Sequence, residues 1–103
     1  MKIKPANERH KSILLTLMRE SHDQEGEASA TEWAATETAI NILLRDSQAG
    51  EAYLIMDENE QPIGYMIMCR GFSLDYGGYF TWIEETYMQE SQQGRFRDQR
   101  FSP

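Results

Sequence analysis

At 103 residues, with 17 Asp and Glu against 10 Lys and Arg and a net charge of −7, the chain has room for one domain and lacks the basic face that a nucleic-acid binder needs. A hydrophobic content of 40%, with two Trp, five Tyr and four Phe, argues against disorder over most of the length. No apolar run approaches the ~18 residues of a membrane span, the start "MKIKPANERHKS" lacks the apolar centre of a signal peptide, and the lone Cys69 can form no internal disulfide. A cytoplasmic protein is expected, with an acidic surface that suits either simple solubility or a small cationic substrate.

The opening "MKIKPA" ends in a proline and reads as a short edge strand. From Asn7, a suitable N-cap, Leu14, Leu17, Met18 and Ser21 fall at helical spacing, which predicts an amphipathic helix. "DQEGEASA" has no period and reads as a connector. Ser29 followed by Glu32 matches a capping box, and Trp33, Ile40, Leu43 and Leu44 share one stripe, so a second helix is expected from Ala30 to Gln48, stopped at Ala49-Gly50. "EAYLIMD", the polar turn "ENEQ" and "PIGYMIMCRGF" then predict a hairpin. Both runs are apolar at successive positions, so both sheet faces are expected to be covered, with Met56, Met66 and Met68 in the core and Gly64 signalling a bulge. After the turn-rich "SLDYGG" comes the longest strand, "YFTWIEETYM"; strict alternation puts Phe80, Trp82, Glu84, Thr86 and Met88 on one face and Tyr79, Thr81, Ile83, Glu85 and Tyr87 on the other. From Gln89 the chain loses periodicity and reads as loop or tail. The order predicts an α+β fold: a four-stranded antiparallel meander with two helices.

Glu84 and Glu85 are the first candidates for chemistry, because an acid on a half-buried strand gains proton affinity and can act as a general base. The competing reading has both turned to water to protect an edge strand from aggregation. By alternation, only one of the two can face a given pocket. His10 and His22 lie twelve residues apart on the first helix, which is not metal-ligand spacing, and read as surface residues. No motif marks a Ser, Thr or Cys nucleophile. In "QQGRFR" only Gly94 offers the freedom that a phosphate-binding loop requires.

The element order, the hairpin from Asp57 to Tyr65 and the stretch "WIEETYMQESQQGR" together resemble the GNAT family of acyl-CoA N-acyltransferases, and "SATE" before the second helix with the paired acids resembles its diamine and polyamine branch. The resemblance covers residues 1–95, read as a GNAT-like half-domain, and leaves 96–103 as a tail outside the pattern. It implies acetyl-CoA as co-substrate and a primary amine as acceptor. Glu84 falls at the position of the base or water-positioning acid, and Glu85, with Trp82, at positions that meet the amine. Met88 takes the position that pairs with the pantetheine arm, and Gln93, Gly94 and Arg95 approach the pyrophosphate loop. Two loop glycines of the family are replaced by Phe96 and Asp98, and its cofactor helix and later strands have no counterpart, which implies a truncated member with impaired or no activity alone. A fourth strand without its neighbour also predicts a homo-oligomer formed through that strand or the adjacent sheet face. The alternative is a non-enzymatic oligomeric module, derived from an acyltransferase, that binds a small ligand or a protein.

Overall fold

The computed structural model describes residues 1–26 and 29–89. Strand β1 (Lys2–Pro5) leads through a short 3-10 turn into helices α1 (Lys11–Glu25) and α2 (Ala30–Arg45), followed by β2 (Gly50–Met56), β3 (Pro62–Ser73) and β4 (Gly78–Met88). The strands form one sheet in the order β1-β2-β3-β4, and each neighbouring pair is antiparallel. This is the expected α+β meander with two helices.

Each helix follows from its local chemistry. Asn7 caps the 3-10 turn, its side-chain oxygen accepting the Arg9 N–H at 3.0 Å. The stripe of Leu14, Leu17, Met18 and Ser21 is the buried face of α1. The helix continues through Glu25, into the segment expected to be a connector, because nothing in "HDQE" breaks a helix before Gly26 at φ +126. Helix α2 starts where the capping residue predicts, with Ser29 Oγ accepting the Glu32 N–H at 3.1 Å. It ends at Arg45 rather than Gln48. Asp46 takes an extended backbone and its carboxylate accepts the Gln48 N–H at 2.9 Å, a local alternative that turns the chain early.

Gly50 opens β2 rather than stopping the helix. It sits at φ +149, and a Cβ there would lie 2.1 Å from the Met68 carbonyl oxygen. In the β2–β3 turn the Asp57 carboxylate accepts the N–H groups of Asn59 and Gln61 at 2.8 and 2.9 Å, while Glu60 adopts the left-handed conformation. A bulge between Ile55 and Met56 falls opposite the segment just before Gly64, close to where that glycine signals one.

The core lies between the helices and one sheet face. It gathers Leu14, Leu17 and Met18 of α1 with Ile40 of α2 and with Ala52, Leu54, Tyr65, Ile67 and Tyr87 of the sheet. Burying each of the larger apolar side chains stabilises the fold by about 1.5–3 kcal/mol. The far face is different. It holds a small cluster of Ile55, Ile63 and Met88 but leaves Ile3 61% and Ile83 59% exposed. Among the described residues, coverage of both faces is therefore not seen: the helices pack on one. Met56 reaches the helix-side core, while Met66 and Met68 alternate with Tyr65 and Ile67 and lie half-buried on the far side. No helix among the described residues is long and apolar enough to cross a membrane.

Candidate functional site

The site is made by an irregularity in β4. Ile67 of β3 pairs with Glu85, but the next residue, Met68, pairs with Ile83, so Glu84 is an extra residue without a partner across the ladder. A bulge resets the alternation. Trp82 opposite Cys69 and Glu85 opposite Ile67 now point to the same, helix-covered side, whereas Ile83, Thr86 and Met88 belong to the far side. The expectation that only one of the two acids can serve a given pocket is thus corrected: both Glu84 and Glu85 line one cavity of about 430 Å3 between the helices and the sheet. Strict alternation failed because it assumes one residue per rung.

The two carboxylates are held differently. Glu85 is part-buried, and its Oε1 accepts the His22 Nε2–H at 2.9 Å and the Tyr65 hydroxyl at 2.5 Å. His22 comes from α1 and Tyr65 from β3, so three elements fix this one side chain. Tyr65 is fully buried. Its phenol is pushed well above the usual range by burial first and by the hydrogen bond to Glu85 second, while a hydrogen bond from Ser21 works in the opposite direction. Tyr65 therefore keeps its proton and acts as a donor. Nearby, the Tyr87 hydroxyl accepts from Gln24 Nε2 at 3.3 Å.

Glu84 is exposed and has the indole of Trp82 as a donor, Nε1 to Oε2 at 2.6 Å. Cys69 stands close by. Burial, then the negative charge of Glu84, and then a hydrogen bond to it raise the Cys69 thiol above its ordinary value, so this sulfur stays protonated. Trp82 also continues a run of rings, packing on Phe80 at a centroid separation of 5.4 Å, with Phe80 on Tyr76 at 5.1 Å. An aromatic wall thus leads to the acids.

Of the residues expected from sequence, Glu84, Glu85 and Trp82 come together. Met88 is the last residue of β4, paired with Gly64, and its side chain is buried on the far face. Gln93, Gly94 and Arg95, and with them the boundary at 95, lie outside the described residues. The site also contains His22, which sequence spacing assigned to the surface. In the fold it is a part-buried partner of Glu85 and meets Trp33 edge-on at 5.8 Å between ring centroids. Its signal was present in the chain, since Leu14, Met18 and His22 recur every fourth residue and so continue the buried stripe. Tyr65 was missed as well. A tyrosine inside the apolar run "PIGYMIM" needs a buried partner for its hydroxyl.

Comparison with known proteins gives a likeness of fold. No family model matches the sequence, and no curated protein matches it. Among solved structures, an integron cassette protein from the mobile metagenome of Cole Harbour Salt Marsh is 25% identical at a TM-score of 0.80, over 90% of this chain and 59% of that one. A possible acetyltransferase from Clostridium difficile 630 is 16% identical at a TM-score of 0.73, over 96% of this chain and 65% of that one. A ribosomal-protein-alanine N-acetyltransferase from Brucella melitensis biovar Abortus 2308 is 18% identical at 0.64, over 92% and 62% of the two chains. The chain thus spans about three fifths of the length of such structures, and what it shares with the acetyltransferases among them is a partial, GNAT-like α+β fold.

Proposed function

We propose that the chain carries the amine-binding half of a GNAT-like N-acetyltransferase site, in which acetyl passes from acetyl-CoA to a primary amine in the cytoplasm. The observation that carries this reading is the bulge at Glu84, which brings two neighbouring carboxylates to one cavity between the helices and the sheet. Glu85, immobilised by His22 and Tyr65, holds the ammonium. Glu84, in contact with water, takes a proton from it and passes that proton to solvent. Trp82 orients the Glu84 carboxylate through its indole N–H. Acetyl-CoA, when bound, would supply the thioester carbonyl: the C–N bond forms as the C–S bond breaks, and the second proton shed by the nitrogen goes to the departing thiolate. We propose that the extended arm of this co-substrate runs near Met88, the position the resemblance assigns to it, at the end of the last strand of the sheet among the described residues. Gln93, Gly94 and Arg95 are proposed for its pyrophosphate end.

The resemblance taken alone suggests diamines and polyamines as acceptors, whereas the lining of the cavity, with acids on one wall only, favours a singly charged amine. For the chain alone we propose low or no activity, because Phe96 and Asp98 stand where the resemblance expects loop glycines. Calorimetric titration with millimolar acetyl-CoA tests the binding part, and amine-dependent release of the CoA thiol tests transfer, with Glu84→Gln expected to lower that release. Absence of heat with acetyl-CoA sinks the enzymatic reading. A second reading, a non-enzymatic oligomeric binding module, is favoured by the exposed Ile3, Tyr79 and Ile83 and by the place of β4 as the last strand of the sheet among the described residues.

A further inference from the structure

We infer that the cavity selects a primary amine with a single charged end on an alkyl or arylalkyl body, and disfavours diamines of the same length; this rests on the amine-acetylation reading above. The cavity's charge is confined to one wall. Of its described lining residues only Glu84 and Glu85 carry charge, and they are neighbours on β4. The rest of the lining is mostly apolar, including Met18 of α1, Ile40 and Leu43 of α2 and Ile67 of β3. Thr36 supplies the one hydroxyl, and it already donates to the Glu32 carbonyl at 3.1 Å within the helix. Cys69 keeps its proton and contributes no anion.

An ammonium at the β4 wall is paired, so its loss of water is compensated. A second ammonium placed farther along the same chain exchanges water for aliphatic side chains without a counter-charge, which is costly. A methyl or phenyl group in that position gains instead from burial. A volume of about 430 Å3 leaves room for such a body beside the charged end. Selectivity then comes from an uncompensated charge as much as from the paired one.

The test is binding of n-hexylamine, 1,6-diaminohexane and n-hexanol to the full chain without acetyl-CoA, followed by calorimetry and by amide chemical shifts. Hexylamine is expected to bind at least about tenfold more tightly than hexanol, which loses the charge pairing, and than the diamine, which exposes the apolar wall to a charge. Glu85→Gln, which preserves the side-chain shape, should cost hexylamine about tenfold. Ile42 lines the cavity yet is 54% exposed, so Ile42→Glu adds an acid at its rim with little risk to folding and should shift the preference toward the diamine. Wild-type affinity for the diamine equal to or above that for hexylamine overturns the inference, and so does equal affinity for hexanol. Because binding is read without acetyl-CoA, hexylamine that binds but is never acetylated overturns the acetyltransferase reading and leaves this one standing, whereas transfer to diamines alone does the reverse.

Discussion

Tyr65 shows how much of the site depends on single atoms. Its hydroxyl is the donor that links the apolar core to Glu85, and Tyr65→Phe removes it while leaving the ring in place. We expect a loss of about 1–2 kcal/mol in denaturant unfolding at neutral pH, since Glu85 and Ser21 both lose a buried partner. The same residue sets an alkaline limit. Its folded-state pKa is raised above the unfolded value of 10.0, so its contribution is fully present below pH 10 and is lost as pH rises beyond it, where only the unfolded chain releases the proton. Unfolding curves at pH 8 and pH 11 should therefore lie closer together in the Tyr65→Phe protein than in the parent; an unchanged gap would remove Tyr65 from this role. At this scale the sequence was partly readable. The acids and Trp82 stood out by type, but His22 and Tyr65 acquire their meaning from Glu85, which is 63 and 20 positions away. Spacing along the chain carries no record of such pairs.

For an element, the decisive fact is one residue more than a regular strand needs. Deleting Glu84 restores one residue per rung with Trp82 still opposite Cys69 and Glu85 still opposite Ile67, so both stay on the helix-covered side and only Glu84 and its local distortion are lost. Glu84→Ala, by contrast, keeps the extra residue. We expect the deletion and the alanine variant to weaken amine binding to a similar degree, by no more than about tenfold, because each removes the same carboxylate and leaves Glu85 in place. Loss of binding by the deletion alone would show that the extra residue's backbone, and not the carboxylate it carries, shapes the cavity. Nothing in "WIEET" announces it, because no glycine or proline marks the position and both halves alternate normally. Helix starts were legible for the opposite reason. Ser29 acts on the N–H three residues ahead, so cause and effect lie within one turn. Helix ends were less so, since Asp46 diverts α2 with a bond that competes closely with continuing it.

For the whole molecule, two helices cover one face of a four-stranded sheet, and β4 closes the sheet's end among the described residues. We propose that a second copy uses this strand or the face carrying Ile3 and Ile83. Sedimentation at increasing concentration is expected to show a dimer, and Ile83→Lys, which places a charge on an exposed apolar position, to shift it toward monomer. A concentration-independent monomer would count against the proposal. The fold class was readable because the order of elements and their turns is written locally. Which faces end up covered was not, because coverage depends on what packs there and no residue's own pattern decides it.

The two tryptophans give this arrangement an optical consequence. Trp82 donates to Glu84, whereas Trp33 touches His22, which in turn holds Glu85, and carries the Arg19 guanidinium 5.0 Å from its ring centroid. Each carboxylate therefore has its own indole chromophore. In proteins with Trp33→Phe or Trp82→Phe, the emission that remains reports on one acid at a time, and the order in which an arriving cation engages them becomes visible without any label.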